Sequence, residues 1–215
     1  MITVHHLNNS HSHVVLWLLE ELGVEYRIAL HQRDRQTFMS PASLRAIHPA
    51  AKAPTIADNG AVMVESTGII LYILDAYGDG RLRPPPGTAE SMRFYQWLTY
   101  IEGSAKAPLM GLLRFLRSPD DAGKAQTQAM LTKHLTLIEE ALGLDGTIAG
   151  VGFSAADIQL TFYEELVEGF GQIEPYPNMQ AHLARMRQRD AYIRAEEKGG
   201  PVGLMSMFSA LRQRA

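Results

Sequence analysis

The chain opens on a short apolar segment, Ile2-Thr3-Val4-His5-His6-Leu7, which reads as a strand over residues 2–7. After a polar stretch, Val14-Val15-Leu16-Trp17-Leu18-Leu19-Glu20-Glu21-Leu22 predicts a core helix, and Gly23 ends it because glycine tolerates the left-handed conformation past a C-cap. Val24 to Leu30 supplies a second strand, so a βαβ crossover with parallel strands and right-handed connection is expected. Residues 31–50 are polar and less regular. Pro54-Thr55-Ile56-Ala57 and Ala61-Val62-Met63-Val64 then flank Asp58-Asn59-Gly60, and Asn-Gly is a strong hairpin signal because both residues tolerate positive φ. Ser66 starts a helix with Ile69, Ile70, Ile73 and Leu74 on one face, closed by Gly78.

Beyond this βαβ-ββα order the pattern changes. Asp79 to Gly87 contains three consecutive prolines and two glycines, which interrupt both helix and strand. A boundary is placed here: an α/β domain over 1–78, a linker over 79–89 and an all-α domain over 90–215. Helical periodicity runs through Met92–Leu116, Ala125–Leu142, Ala155–Phe170 and Met179–Glu197, with no strand or hairpin signal and no internal repeat.

Composition narrows the chemistry. With 215 residues, 46% hydrophobic and 20% charged, the chain can bury a core in each of two modest domains. It has no cysteine, which excludes disulfides, thiolate metal sites, iron–sulfur clusters and a catalytic protein thiol. A net charge of −3 gives no electropositive footprint, so neither nucleic acid nor an anionic membrane is expected as a partner. No segment approaches the ~20 apolar residues of a membrane span, and a cytoplasmic location is expected.

Three local groups carry candidate chemistry. Proline cannot donate to a ladder, so Pro54 belongs at an edge, and a cis Ala53–Pro54 bond would turn the Ala53 backbone outward to pair with an extended peptide; an ordinary trans proline at a strand start is the alternative. Glu65-Ser66 falls at a strand-to-helix junction, where the Ser66 hydroxyl and N–H can take a carboxylate and Glu65 an ammonium, although Ser66 could serve only as an N-cap. Asn9, Ser10 and Ser12 lie before the first helix, where a hydroxyl can donate to a ligand thiolate and lower its pKa from ~8.5. Ser12 is also a natural N-cap, so one serine is expected to cap while the other faces ligand. His5, His6, His11 and His13 cluster in sequence, but strand alternation separates two of them and no metal site is expected. Arg185, Arg187 and Arg189, together with Glu139-Glu140 and Glu164-Glu165, read as solvated helix faces. Met110, Leu113 and Phe115 read as core or interface before pocket lining.

Taken together, strand-helix-strand, Ala53-Pro54, Glu65-Ser66, a Pro/Gly linker and a helical second half resemble the cytosolic glutathione S-transferases across essentially the whole chain. The stretches SHSHVVLWLLEELGVEY (10–26), AIHPAAKAPTI (46–56) and VESTGIILYILDAYG (64–78) are each similar to bacterial members. Gly152-Phe153-Ser154-Ala155-Ala156-Asp157 resembles the family's buried capping box, a structural motif. The resemblance implies a thioredoxin-like first domain that binds glutathione as co-substrate, a helical domain that shapes an apolar electrophile pocket, and a homodimer. It implies that Glu65 and Ser66 hold the γ-glutamyl end, that Ala53, before Pro54, pairs with the cysteinyl unit, and that Lys52 lies near the glycyl carboxylate. Ser10 falls best on the thiol-activating serine of serine-type members, with Asn9 and Ser12 as rivals. Glu102 is expected either to reach the glutathione ammonium across the dimer interface or to be a solvated glutamate. Members with this first helix commonly carry arginine where this chain has Val14. The implied activity is thiol attack on an apolar electrophile in detoxification, or peroxide reduction by glutathione's own thiolate. The alternative is a non-catalytic glutathione-binding or protein-interaction module.

Overall fold

The structure, a computed structural model, describes residues 1–34, 39–116 and 120–202. Its first part runs β1 (Ile2–Leu7), α1 (Ser12–Leu22), β2 (Tyr26–His31), a short α2 (Ala42–Arg45), β3 (Thr55–Asp58), β4 (Ala61–Val64) and α3 (Ser66–Tyr77). The sheet order is β2-β1-β3-β4, with β1 parallel to β2 and antiparallel to β3, and β3 antiparallel to β4. The expected βαβ-ββα fold is therefore present. β1 is central, and Ile2, Val4 and Leu7 are buried along it. Val14 to Leu19 are all buried because α1 packs on β1, α3 and α9. Val14, at the position where arginine is common, is one of these core side chains. Gly23 takes φ 63° and closes α1 through its amide to the Glu20 carbonyl.

The chain divides into two compact units. The first comprises residues 1–82 with 187–202 and therefore includes α9 (Asp190–Gly199). The sequence pattern treats Met179–Glu197 as one helix. Two helices form instead, α8 (Pro177–Arg187) and α9, because Arg189 adopts extended backbone (φ −71°, ψ 133°) ahead of α9. Arg189 also binds Glu21 through two contacts of 2.6 and 3.0 Å, while Arg194 and Lys198 both pair with Glu20. These charges hold α9 on α1, so Arg189 is not part of a merely solvated face.

The second unit covers residues 83–186 among those described. The single helix expected over Met92–Leu116 is a composite of α4 (Ala89–Tyr100), a π-helical turn (Ile101–Ala105), α5 (Lys106–Gly111) and a 3₁₀ segment (Leu112–Leu116). Thr88 caps α4 by accepting the Ser91 amide at 3.1 Å. α6 (Asp121–Asp145), α7 (Ala155–Gly169) and α8 complete the unit. α7 is its core helix: 14 of its residues are buried, Glu164 and Glu165 included. Neither glutamate is solvated, and for Glu164 the physical reason is a partner on another helix. His182 of α8 places Nδ1 2.7 Å from Glu164 and Nε2 3.4 Å from Asp157, with all three side chains fully buried. The Ser154/Asp157 capping box closes the start of α7, and Asp157 additionally accepts the Ile148 amide at 2.8 Å. Among the described residues no helix is long and apolar enough to cross a membrane.

Candidate functional site

Sheet register gathers the candidate residues. His5 of β1 lies opposite Thr55 of β3, and Thr55 lies opposite Val64 of β4. The loop after β1, the Lys52-Ala53-Pro54 approach to β3 and the Glu65-Ser66 junction after β4 consequently meet at one end of the sheet.

The β1–α1 loop is tied to the end of β2. The Asn8 amide donates to His31 O at 3.3 Å, Asn8 Oδ1 accepts the Arg33 amide at 2.8 Å, and the Arg33 guanidinium reaches Asn9 O at 3.3 Å. Asn9 itself has φ 51°, a left-handed value that asparagine tolerates better than most residues. Ser10 follows with 7% of its surface exposed, whereas Ser12 is fully buried. Ser12 is the first residue of α1 and its hydroxyl does not cap that helix. It turns back instead, accepting the Leu7 amide at 3.1 Å and lying 2.9 Å from His6 Nδ1 and 2.8 Å from Ser10 Oγ. Ser10 Oγ in turn accepts the Ser12 amide at 3.2 Å. Ser12 is therefore not the expected N-cap, and the two serine hydroxyls bond to each other.

At the β3 edge the Ala53–Pro54 peptide is cis. Thr55 Oγ1 donates to Lys52 O at 2.6 Å and fixes the approach to the strand. Among the described residues nothing in the chain bonds the Ala53 amide or carbonyl. The β3–β4 hairpin is secured to α3 through Asp58, which is buried and accepts the hydroxyls of Tyr72, at 2.7 Å, and Tyr77. Burial alone would raise the Asp58 carboxyl, but the two tyrosine hydrogen bonds outweigh it and hold it below the usual aspartate range.

Glu65 takes φ 79° and ψ 108° at the head of α3, a backbone conformation that costs a non-glycine residue about 1–3 kcal/mol. Its carbonyl accepts the Ile69 amide at 2.9 Å, so Glu65 occupies the N-cap position and Ser66 becomes the first helical residue. The Ser66 hydroxyl is therefore not spent as a cap. Among the described residues it has no hydrogen-bond partner, although only 8% of the residue is exposed. Amides of a first helical turn have no intrahelical acceptor, and the helix dipole adds positive potential, so the junction favours an anion. Lys52 Nζ lies 3.5 Å from Glu65 Oε1, an exposed pair that contributes little to stability. Glu102 belongs to the second unit, in the π-helical turn, where Lys106 Nζ meets its two carboxylate oxygens at 3.0 and 2.9 Å.

His6 was not singled out by the sequence as part of this region. Its Nε2 is 2.9 Å from the carbonyl of Gly199, 193 positions away, and no local motif announces that contact.

A βαβ-ββα sheet with a cis-proline edge and an anion-favouring helix head is a thioredoxin-like domain, and a helical unit follows it in the chain. Residues 4–85 match the family profile described as "Glutathione S-transferase, N-terminal domain". The chain is 30% identical to a glutathione S-transferase from Actinobacillus pleuropneumoniae, whose crystal structure superposes with a TM-score of 0.89 over 95% of each chain. It is 25% identical to glutathione S-transferase 1 of Saccharomyces cerevisiae over 94% of this chain and 97% of that protein. Its identity to glutathione S-transferase 3 of Schizosaccharomyces pombe is 27%, over 92% and 88% of the respective chains. The chain belongs to the glutathione S-transferase family.

Proposed function

We propose that the protein is a glutathione transferase of serine type, in which Ser10 stabilises the thiolate of bound glutathione for attack on an apolar electrophile. The observation that carries this reading is the meeting of three segments at one sheet end, with the Ser66 hydroxyl unspent at the head of α3. In this reading Ser66 and its helix N-terminus take the γ-glutamyl carboxylate and Glu65 the neighbouring ammonium. Ala53, ahead of Pro54, pairs with the cysteinyl backbone, and Lys52 lies toward the glycyl carboxylate. Ser10 is preferred over Ser12 because only Ser10 of the two retains exposed surface. Asn9 is the remaining rival, and its strained backbone already ties it to Arg33. With no cysteine in the chain, the reacting sulfur is glutathione's, which suits conjugation or peroxide reduction.

The further assignments follow the same reading: residues 1–78 bind glutathione, 79–89 link, and the helical residues 90–215 supply the electrophile's apolar surroundings. We assign the protein as a cytoplasmic homodimer, with Glu102 presented to glutathione of the partner subunit.

Ultraviolet difference absorbance of bound glutathione against pH, in wild type and Ser10→Ala, tests the central claim. The expected result is a bound-thiol pKa well below the free value of ~8.5, rising in the variant. Ordinary ionisation despite binding would instead make the protein a binding module, and a lowered pKa indifferent to Ser10→Ala would move the role to Asn9 or a backbone amide.

A further inference from the structure

Ser10 is the outer end of a hydrogen-bonded series whose direction is fixed from the inside. His6 Nε2 lies 2.9 Å from the Gly199 carbonyl, and a carbonyl only accepts, so Nε2 carries the ring hydrogen. Nδ1 is then a bare lone pair, and the Ser12 hydroxyl donates to it at 2.9 Å in preference to the Leu7 carbonyl at 3.3 Å, since the alternative sets two lone pairs face to face. The lone pairs of Ser12 Oγ take the Leu7 amide at 3.1 Å and the Ser10 hydroxyl at 2.8 Å. Ser10 therefore points its hydrogen inward and accepts the Ser12 amide, leaving one lone pair for an arriving group. A thiol at that position meets an acceptor, not a donor.

We propose that Ser10, Ser12 and His6 form a proton relay that carries the thiol proton of glutathione to His6 Nδ1. The S–H bond breaks as its proton bonds to Ser10 Oγ. The original Ser10 hydrogen passes to Ser12 Oγ, and the Ser12 hydrogen passes to His6 Nδ1. The products are a thiolate, two neutral hydroxyls that now point outward, and an imidazolium still bonded through Nε2–H to Gly199. One proton has moved from sulfur to nitrogen and nothing else has changed. Ser10 now donates to the thiolate, which is the arrangement its assigned role requires, and the relay rests on that assignment.

The end of α9 is built for a charged His6. Gly199 is the last residue of α9, so its carbonyl lies at the negative pole of that helix, where a cation is favoured. A side chain at this position has no room: a Cβ on Gly199 would stand 2.5 Å from Leu16 Cδ1 and 3.1 Å from His6 Nε2. The titratable neighbours act the other way. Burial holds His6 below its ordinary range against the opposing hydrogen bond to the Gly199 carbonyl, and His31 on β2 adds a smaller push downward. His13 on α1, pushed down to about 3 by burial and by His6, is neutral. The resting ring is consequently an acceptor, as the relay needs, and only a nearby thiolate charges it.

Because the proton stays in the protein, thiolate should appear without a matching release to solvent. The test mixes full-length protein with glutathione in weak buffer and records thiolate absorbance together with an indicator dye, for wild type, His6→Asn and Ser10→Ala. Asparagine can accept from Ser12 but cannot bind a proton. Wild type is expected to release well under one proton per thiolate, and His6→Asn to release one while its thiolate yield at neutral pH falls about tenfold. A full proton per thiolate in wild type, or an unchanged ratio in His6→Asn, overturns the relay. Loss of thiolate in Ser10→Ala alongside an indifferent His6→Asn sinks the relay alone; an indifferent Ser10→Ala sinks the Ser10 assignment. Nitrogen chemical shifts of His6 in wild type give a readout independent of any variant: Nδ1 should change from bare to protonated on glutathione binding, and an unmoved signal refutes the transfer.

Discussion

Asp157→Ala should be among the most destabilising single substitutions in the helical unit. The Asp157 carboxylate is fully buried and accepts the Ile148 amide at 2.8 Å, the Ser154 amide at 2.9 Å and the Ser154 hydroxyl at 3.0 Å. Truncation strands two backbone donors and leaves the hydroxyl to find another acceptor. Each stranded buried donor costs about 1–3 kcal/mol, and loss of a helix cap about 1 kcal/mol. His182 also loses one of the two carboxylates beside it. These terms overlap, and partial relaxation brings the total to about 4 kcal/mol, at the upper end for single substitutions. For a chain of this size that lowers Tm by roughly 8–16 °C. Ser154→Ala, which removes only the hydroxyl, should cost about 1 kcal/mol. Thermal unfolding followed by far-ultraviolet circular dichroism compares the three proteins. An Asp157→Ala midpoint within about 3 °C of wild type, or one equal to Ser154→Ala, would refute the view that this carboxylate organises the start of α7.

Stability should also depend on pH through His182. Burial disfavours its charged form, but Glu164 at 2.7 Å and Asp157 at 3.4 Å outweigh that and raise its pKa to about 9. A pKa above the unfolded value of ~6.5 means the stabilisation is complete below that pH and is lost as pH rises through about 9, so Tm should fall across this interval. Glu164, raised to about 7 by burial, adds a fall of the same sign at lower pH, up to about 7; a His182→Asn variant should be less stable at pH 7 and show a shallower fall between pH 7 and 9, because only the His182 part of the slope is removed. Ser66→Ala should weaken glutathione binding about ten- to a hundredfold by calorimetry, the worth of one hydrogen bond to a charged group. It should leave the Tm of the unliganded protein nearly unchanged, because the hydroxyl has no partner among the described residues; a lower Tm with intact affinity would make Ser66 a structural residue only.

Much of the first unit was legible because its signals are local. Alternation and apolar runs locate β1 and α1, Asn59-Gly60 locates the hairpin, and Ile69, Ile70, Ile73 and Leu74 locate the buried face of α3. The capping box at Ser154 and Asp157 was equally readable from four residues. The helical unit was legible as helical but not in its breaks. A π-helical turn leaves hydrophobic periodicity almost continuous, so Met92–Leu116 looks like one helix. The α8–α9 break depends on the backbone of Arg189 and on its bond to Glu21, 168 positions away.

The same distinction governs the site. Ala53-Pro54 and Glu65-Ser66 are adjacent pairs whose chemistry follows from their place at a strand start and a helix start, so a sequence can present them. The serine loop is different, because composition says only that hydroxyls are present before a helix. What each hydroxyl can donate is decided by His6, and what His6 can accept is decided by the last carbonyl of α9. His6 read in sequence is one of four clustered histidines suggesting, at most, a metal. Glu164 likewise reads as half of a charged pair on a helix surface until His182 arrives from α8. In both cases a buried histidine acquires its role from a partner on a distant helix, and the protonation state of the ring, not its place in a motif, sets what the neighbouring groups can do.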